Sequence, residues 1–419
     1  MTERLLQYIW QFQYFNKVNA ETTDGQRIQV IQAGTCNTNQ GPDFLNAQIK
    51  IAGTTWAGNV ELHLHTSDWE LHAHSQDKNY SNVILHVVWD HDTDLGLSFP
   101  TLELKQLIPK LLLKKYEELM QGAQFIACEK QLNHVSPLIL VAWKERLLVE
   151  RLQYKALYIK DLLSRNNMHW DEICWWMLAR NFGMKVNSEA FEQMAQSIPI
   201  NILAKHKSQL IQLEALLMGQ AGLLDAEFKE DYPIMLQKEY SFLQQKYQLK
   251  KIHTALYLLR MRPANFPTIR LAQLAALIHQ SEHLFSKIKE TTEFSAIEKL
   301  FKVTANDYWH CHYVFDEPTV FKKKNLGKQM INNILVNTVV PVLYAYGYFN
   351  NDEKYKLKAM QWMAHIAAEN NSITDSFVSL GIENKTAYDS QALIQLKHAY
   401  CDQKRCLQCA IGNKILKEA

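Results

Sequence analysis

The stretch GPDFLNAQIKIAGTTWAGNVELHLH, residues 41–65, decides the fold of the N-terminal region. It contains two segments of alternating apolar and polar residues, FLNAQIKIAG and GNVELHLH, joined by a turn-forming GTTWAG. Successive side chains of a β-strand point to opposite faces of its sheet. The pattern therefore predicts a β-hairpin whose second strand places Glu61, His63 and His65 on one face and leucine and valine on the other.

The first strand of this hairpin carries a matching polar face. Its polar residues are Asn46, Gln48 and Lys50, and Asp43 precedes them directly after a Gly-Pro turn. Side chains on the same face of neighbouring strands are within reach of one another. We therefore expect Asp43, Gln48 and Lys50 to share a surface with Glu61.

The spacing of apolar residues along the chain changes near residue 110. Strand-like segments such as RIQVIQ, NVILHVVWD and PTLELK precede this point, and segments with apolar residues at three- and four-residue spacing follow it. The sequence predicts an α+β fold, in which a small α/β domain with a mixed sheet (residues 1–110) precedes a larger all-helical region. The helical region divides into residues 111–325 and a C-terminal helical segment, 326–419, with clustered cysteines.

Composition narrows the class of protein. Lys and Arg total 45 and Asp and Glu 43, so no overall positive field draws the chain to polyanions, and a nucleic-acid surface has to be local. The N-terminal MTERLLQYIWQFQYF carries Glu3 and Arg4 and is typical of an amphipathic helix, so we do not expect it to be a signal peptide. The most apolar segment, residues 334–349, is interrupted by Asn337, Thr338 and Pro341 and is shorter than the ~20 residues of a bilayer span. We expect a soluble, cytoplasmic protein without a membrane partner.

Two carboxylates on adjacent strands, followed by a basic residue, are suited to metal-dependent phosphodiester cleavage, with Mg²⁺ or Mn²⁺ as the cation. Pro42-Asp43 and Glu61-Leu62-His63, in the order helix, strand, strand, strand, link, strand, resemble the core of the PD-(D/E)XK nuclease superfamily. This resemblance implies that Asp43 and Glu61 bind metal and that His63 stands where the family usually has lysine. Lys50 or Gln48 would then assist His63.

Histidines are dense just after the hairpin. Six of the chain's 16 lie between residues 63 and 91, and HLHTSDWELHAH contains two His-x-His pairs around Asp68. Such a set predicts a zinc or iron site that includes His65. It is similar to the signature of metallo-β-lactamase-like hydrolases, but Trp69 stands where that signature has histidine. A metal hydrolase of another type is therefore an alternative.

The C-terminal HAYCDQKRCLQC places His398 close to Cys401, Cys406 and Cys409. Three cysteines within nine residues predict a metal site, either zinc or an iron–sulfur cluster. His398 is one candidate for the fourth ligand. A remote cysteine, Cys128 or Cys36, is the other, and the set then resembles the four-cysteine clusters of some PD-(D/E)XK nucleases.

Two weaker patterns complete the set. RMRPANFPTIR places Arg260, Arg262 and Arg270 around two prolines, which predicts either a phosphate-binding helix start in contact with nucleic acid or a structured turn. Glu103-Leu104-Lys105 is a second Glu-x-Lys, and an edge strand with exposed charges is the simpler interpretation.

The blocks GPDFLNA, GNVELHLHTSDWELHAH, RPANFPTIRLAQLA and CLQCAIG resemble an uncharacterised bacterial family of unknown function. That resemblance implies a cytoplasmic bacterial protein and supplies no activity. The function predicted from the residues is a metal-dependent nuclease acting on DNA or RNA, or a degenerate relative of one. A non-catalytic scaffold with structural metal sites is the alternative from a different class.

Overall fold

The computed structural model describes residues 1–37, 39–122, 124–165, 169–252, 254, 256–258, 262–281 and 283–417. Contacts between residues divide the chain into two units, one of residues 1–143 with 396–419 and one of residues 144–395. The predicted α+β class is confirmed, since a mixed sheet precedes a larger helical region. The cysteine-bearing tail, which lies in the predicted segment 326–419, groups with the sheet in the first unit.

The sheet of the first unit has six strands. They are β1 Ile28–Gln32, β2 Thr35–Cys36, β3 Phe44–Ile51, β4 Thr54–His65, β5 Val83–Asp90 and β6 Thr101–Glu103. Their order is β1-β3-β4-β5-β6, with β2 paired to β3. The pairs β1–β3 and β3–β4 are antiparallel, whereas β4–β5 and β5–β6 are parallel. Strand β4 is therefore central, which explains why the middle of this strand is buried on both faces.

The hairpin of β3 and β4 contains a bulge that sets its register. Phe44 pairs with Val60 but Ala47 pairs with Gly58, so β3 carries one extra residue between these points. Asn46 has φ 57°, a left-handed conformation that asparagine tolerates better than most residues. The bulge aligns the start of β3, with Asp43 just before it, against the middle of β4.

Short helices cover the sheet. Helix α1, Glu3–Phe12, begins at Thr2, whose hydroxyl accepts a hydrogen bond from the Leu5 N–H, and it buries Leu5, Ile9 and other apolar residues. It contacts β4, as does α2, Asp68–Leu71. Helix α3 spans Lys110–Gln121. These elements follow from the amphipathic spacing of the sequence.

Helix α4, Pro137–Arg165, begins in the first unit and continues into the second. The second unit then contains α5 Trp170–Phe182, α6 Met184–Ser197, α7 Ile200–His206, α8 Leu210–Gln220, α9 Asp231–Tyr247, α10 Pro267–Gln280, α11 Leu284–Glu290, α12 Phe294–Leu300, α13 Lys328–Ile334, α14 Val340–Phe349, α15 Glu353–His365, α16 Ser372–Ser379 and α17 Ala387–Leu396. In the described part of the chain, no helix combines the length and the hydropathy that crossing a bilayer requires.

The segment GKQMINNILVNTVVPVLYAYGYF forms one helical path with an irregular middle. The structure interrupts it with a π-helical turn, Leu335–Val339, between α13 and α14. Pro341 lacks a backbone N–H and so cannot donate to the residue four positions before it. The wider turn accommodates this missing hydrogen bond within one continuous helical path.

The tail returns to the first unit. It comprises a π-helical turn, Lys397–Cys401, a 3₁₀ helix, Cys406–Gln408, and α18, Ala410–Lys417. Helix α18 contacts α3 and a 3₁₀ helix at Glu129–His134. The Tyr8 hydroxyl on α1 donates a hydrogen bond to Asn413 Oδ1 at 3.0 Å. The C-terminal tail is thereby packed against elements from the start of the chain.

Candidate metal centre

The two predicted carboxylates lie side by side. The backbone N–H of Asp43 donates to Glu61 Oε2 at 2.9 Å, and the backbone N–H of Leu62 donates to Asp43 Oδ2 at 3.1 Å. Gln7 Nε2 on α1 donates to Asp43 Oδ1 at 2.8 Å. The alternation of β4 and the bulge in β3 produce this meeting, so the structure places both acids as the sequence predicted.

Both carboxyl groups are held in an environment that disfavours negative charge. Burial, with a contribution from the neighbouring Asp43, raises the pKa of Glu61 to about 8. Burial also raises the pKa of Asp43 to about 6, with Glu3 adding to the effect. Among the described residues neither acid forms an ion pair with lysine or arginine, and the basic groups within 4 Å of Glu61 are two histidines. A bound cation would offset this unbalanced charge.

Three histidines complete the site. His63, His72 and His74, which we call the imidazole cluster, offer ring nitrogens that all lie within 4.8 Å of one another. His63 Nε2 lies 3.1 Å from His72 Nδ1. Glu61 Oε1 lies 3.5 Å from His63 Nε2 and 3.4 Å from His74 Nε2.

The local backbone explains how the imidazole cluster assembles. His63 shares the face of β4 that carries Glu61, because the two residues are two positions apart on one strand. After β4 the chain folds back through α2, and Ala73 adopts φ 57° between His72 and His74. The left-handed turn allows both histidines to return toward Glu61.

These distances fit a single ion. Donor atoms at the 2.0–2.1 Å typical of zinc stand about 3.3 Å apart in a tetrahedral site. Three separations at this site, 3.1, 3.4 and 3.5 Å, lie close to this value. His74 Nε2 is also buried without a hydrogen-bond partner. His63, His72 and His74 therefore provide a donor set of suitable size for one transition-metal ion, and Glu61 lies beside two of these three histidines.

A second layer orients the cluster. His86, fully buried on β5, places its Nε2 2.9 Å from His63 Nδ1. Burial lowers the pKa of His86 to about 4, and it lowers the pKa of His63 to about 2, with the charge of His86 as the next cause. Both rings are neutral at pH 7, so His63 Nδ1–H can donate to His86 and leave Nε2 free to bind metal.

Tyr80 closes one side of the site. Its ring stacks on His74 with the centroids 3.8 Å apart. Burial and then the charges of Glu61 and Asp43 raise the pKa of Tyr80 to about 12, so its hydroxyl keeps its proton at neutral pH. Sequence reasoning missed Tyr80 and His86, although the many histidines of this region pointed to the neighbourhood.

Two predicted site residues, Lys50 and Gln48, lie away from the carboxylates. Lys50 pairs with Thr55, six residues before Glu61, which places it about 20 Å along the strand at ~3.3 Å per residue. Gln48 pairs with Ala57, about 13 Å from Glu61 by the same measure. Both side chains are exposed, and the expectation that they adjoin the carboxylates is wrong because sharing a face does not fix distance along a strand.

His65 is also outside the cluster. It lies on the face expected from alternation but at the end of β4, where it is exposed, and the group of three histidines does not include it. The second Glu-x-Lys is likewise separate, since Lys105 forms a salt bridge with Asp90 at 2.8 Å. This pairing agrees with an edge strand that carries exposed charges.

A comparison with known protein families identifies the family of this chain. A family model described as "Protein of unknown function (DUF2851)" matches residues 3–372. The chain belongs to this family. No curated protein and no solved structure matches it. The DUF2851 match includes Asp43, Glu61 and the imidazole cluster, and it ends before the cysteines of the tail.

The two described arginines of RMRPANFPTIR, Arg262 and Arg270, differ in exposure in this DUF2851 member. Arg270 on α10 is buried, bonds Gln273 Oε1 at 2.9 Å and contacts Asn265, and burial lowers its pKa to about 10. Its predicted contact with nucleic acid is wrong, because helix packing turns it inward. Arg262 is exposed, so its predicted role stays a prediction, and Arg260 lies outside the described residues.

The tail cysteines of the DUF2851 chain gather around a remote fourth. Cys128, Cys406 and Cys409 are buried and Cys401 is partly buried. The predicted alternative, His398, has a side chain that is 59% exposed and whose Nδ1 lies 3.1 Å from Asp402. Cys36 is exposed on β2, and its pKa is raised by burial and by Asp43, which places it near the carboxylates. The structure thus brings Cys128, and not His398, to the tail cysteines.

Proposed function

We propose that this protein is a metal-dependent hydrolase that cleaves phosphodiester bonds of DNA or RNA. The observation that carries the proposal is the contact of Glu61 Oε1 with two imidazole nitrogens, at 3.4 and 3.5 Å, next to a second buried carboxylate. A metal ion in this position would have the three imidazoles of the cluster as ligands, with the Glu61 carboxylate beside two of them. Asp43 holds the Glu61 carboxylate through its backbone N–H and is itself held by Gln7.

The donor set favours some metals over others. Imidazole ligands suit zinc and other transition metals, whereas Mg²⁺ prefers oxygen donors and retains water. With three histidines beside one glutamate, Zn²⁺ or Mn²⁺ is the proposed ion. This proposal keeps Mn²⁺ from the sequence expectation for Asp43 and Glu61 and replaces Mg²⁺ with Zn²⁺.

The bound ion would lower the pKa of a water molecule and polarise the phosphate. The residues of the chain have separate tasks around it. His86 keeps His63 in the tautomer whose Nε2 faces the ion. Tyr80 stays protonated beside Glu61, so its hydroxyl is available to donate a hydrogen bond to a phosphate oxygen. His72 is exposed, which leaves this side of the site open to substrate.

The phosphodiester as substrate is supported by the order of elements. Helix α1, antiparallel strands β1, β3 and β4, helix α2 and parallel strand β5 follow one another as in the PD-(D/E)XK nucleases that the sequence resembles. Asp43 precedes β3 and Glu61 lies within β4, the positions which that resemblance implies for metal ligands. His63 replaces the expected lysine, and the imidazole cluster is what compensates for it in this proposal.

The experiment compares cleavage by metal-free protein with cleavage after addition of Zn²⁺, Mn²⁺ or Mg²⁺. Fluorescent single- and double-stranded DNA and single-stranded RNA are the substrates. We expect cleavage with Zn²⁺ or Mn²⁺ that falls at least 100-fold in Glu61→Gln and His74→Ala, since loss of a ligand removes the ion. His65→Ala is the matched control, because His65 lies two residues from His63 outside the cluster, and it should retain activity.

A second candidate is a hydrolase of another ester or amide, which the three-imidazole donor set also favours. Metal-dependent turnover of a p-nitrophenyl ester or a peptide, lost in Glu61→Gln while nucleic acids stay intact, would establish it in place of the nuclease. Stoichiometric Zn²⁺ binding that depends on His74, with no turnover of any substrate, would instead support a structural metal site in a scaffold protein.

A further inference from the structure

Four cysteines from distant parts of the sequence come together in the sheet-containing unit. Cys128 directly precedes the 3₁₀ helix Glu129–His134, and α18 contacts that helix. Cys409 directly precedes α18, and Cys406 begins the 3₁₀ helix that also contacts α18. The π-helical turn that ends at Cys401 contacts this same 3₁₀ helix.

The four thiols are close enough to affect one another. Cys128 interacts electrostatically with both Cys406 and Cys409. Cys401 interacts with Cys128, Cys406 and Cys409 in the same way, so the four thiols are neighbours. All four are free thiols, and three are less than a tenth exposed. Free cysteine is a common core residue, but four thiols that meet in one place also form the ligand set of a thiolate-bound metal site.

Positive groups surround this set. The Lys397 ammonium group lies close enough to Cys401, and the Lys404 ammonium group close enough to Cys406, to interact electrostatically with these thiols. Lys404 also donates a hydrogen bond to the Met120 carbonyl, which holds it near α3. Cations beside thiolates offset the negative charge that a four-thiolate site accumulates.

We propose that Cys128, Cys401, Cys406 and Cys409 bind an iron–sulfur cluster. Four cysteine thiolates are the ligand set of both [2Fe–2S] and [4Fe–4S] clusters. A single zinc ion is the competing ligand, and it draws four sulfur atoms to about 3.8 Å from one another at 2.3 Å per bond. No three of the four Sγ atoms lie within 4.8 Å of one another, so the site is wider than a zinc ion requires.

The cluster would fasten the tail to the rest of the unit. Helix α18 follows Cys409 immediately and is joined to α1 by the Tyr8–Asn413 hydrogen bond. Gly412, within α18, leaves no room for a side chain, because a Cβ there would come within 2.3 Å of the Cys406 carbonyl oxygen. Release of the cysteines would therefore detach α18 and expose it to protease. This inference does not depend on the proposed hydrolase function.

The test uses the full chain purified without oxygen. Iron, acid-labile sulfide and zinc are measured per chain, together with the visible absorption of thiolate-bound iron and the electron paramagnetic resonance signal after reduction. We expect iron and sulfide in roughly equal amounts in the wild-type protein. Cys128→Ala and Cys406→Ala should both lose the iron and the absorption. Cys174→Ala is the matched control, since Cys174 is a buried thiol of the helical unit, and it should keep both.

Two results would overturn the proposal. One is iron retained in Cys128→Ala, which would remove Cys128 from the ligand set. The other is a wild-type chain that holds no iron even after incubation with ferrous iron and sulfide, whether or not it carries zinc lost in Cys406→Ala. The wild-type measurement decides the case even if a variant fails to fold. Limited proteolysis of wild-type protein with and without its iron then tests the anchoring of α18.

Discussion

His86 offers the most informative single substitution, because it contacts the candidate metal centre only through another histidine. His86 Nε2 lies 2.9 Å from His63 Nδ1, and its own ring is fully buried. His86→Phe keeps an aromatic ring of similar size but removes the acceptor that fixes the His63 tautomer. The substitution leaves Glu61 and all three histidines of the imidazole cluster in the chain.

The expected effect follows from this geometry. Loss of a partner that orients a metal-binding histidine typically lowers metal affinity 10- to 100-fold. At about 1.4 kcal/mol per tenfold change, this is about 1.4–2.8 kcal/mol of binding free energy. We therefore expect the Kd for Zn²⁺ to rise 10- to 100-fold in His86→Phe, and to be unchanged in His65→Phe, which alters an exposed residue of the same strand as His63.

The assay is equilibrium competition for Zn²⁺ with a chromophoric chelator at pH 7 and 25 °C. His63→Ala identifies the part of the zinc binding that belongs to this site, because the cysteines are untouched in every variant. Wild-type affinity in His86→Phe, with binding abolished in His63→Ala, would refute the orienting role of His86. An equal loss in His65→Phe and His86→Phe would show that the sheet is disturbed rather than the site.

Further predictions concern stability of the helical unit. Burial raises the pKa of Glu214 from 4.5 to about 7. The stabilisation of the folded state by protonated Glu214 is therefore complete below pH 4.5 and is lost as the pH rises through about 7. The free energy of unfolding should fall by about 2.5 kcal/mol between pH 5 and 8. Urea titrations at several pH values should show a smaller fall of the unfolding free energy with pH in Glu214→Gln than in Glu227→Gln, which alters an exposed residue. The same fall in both variants would contradict the prediction. In Gly219→Ala a Cβ would lie 2.2 Å from the buried Tyr240 ring, whereas at Gly327 it meets nothing within 4 Å. We expect Gly219→Ala to cost about 1–3 kcal/mol of unfolding free energy and to lower the melting temperature more than Gly327→Ala does; equal melting temperatures would argue against this packing.

The pair of carboxylates was within reach of sequence reasoning. Alternation in β4 fixes the face of Glu61, and a short turn makes β3 its antiparallel neighbour, so Asp43 has few places to lie. Both constraints act between residues fewer than 20 positions apart. For the same reason the strands of the N-terminal region were predicted near their actual places, although the expectation that GTTWAG forms the turn is wrong, because β4 already begins at Thr54.

The rest of the metal centre could not be predicted from local sequence patterns. Lys50 shares a face with Glu61, but the register of the hairpin separates them along the strand. His72 and His74 join His63 because the chain reverses through α2 and a left-handed Ala73, a conformation that no residue type in HLHTSDWELHAH demands. His65, which the local pattern predicted to be a metal ligand, lies at the end of β4 and outside the imidazole cluster.

Local periodicity thus determined the α+β class, the hairpin, the meeting of Asp43 with Glu61 and the presence of a cysteine-rich tail. The tertiary structure alone decided which histidines surround Glu61, that Arg270 points inward, and that Cys128 rather than His398 accompanies the tail cysteines. The physical reason is the separation along the sequence over which each effect acts. Backbone alternation and turn formation act over a few residues, whereas the packing that joins positions 128 and 409 depends on how whole elements bury their apolar faces.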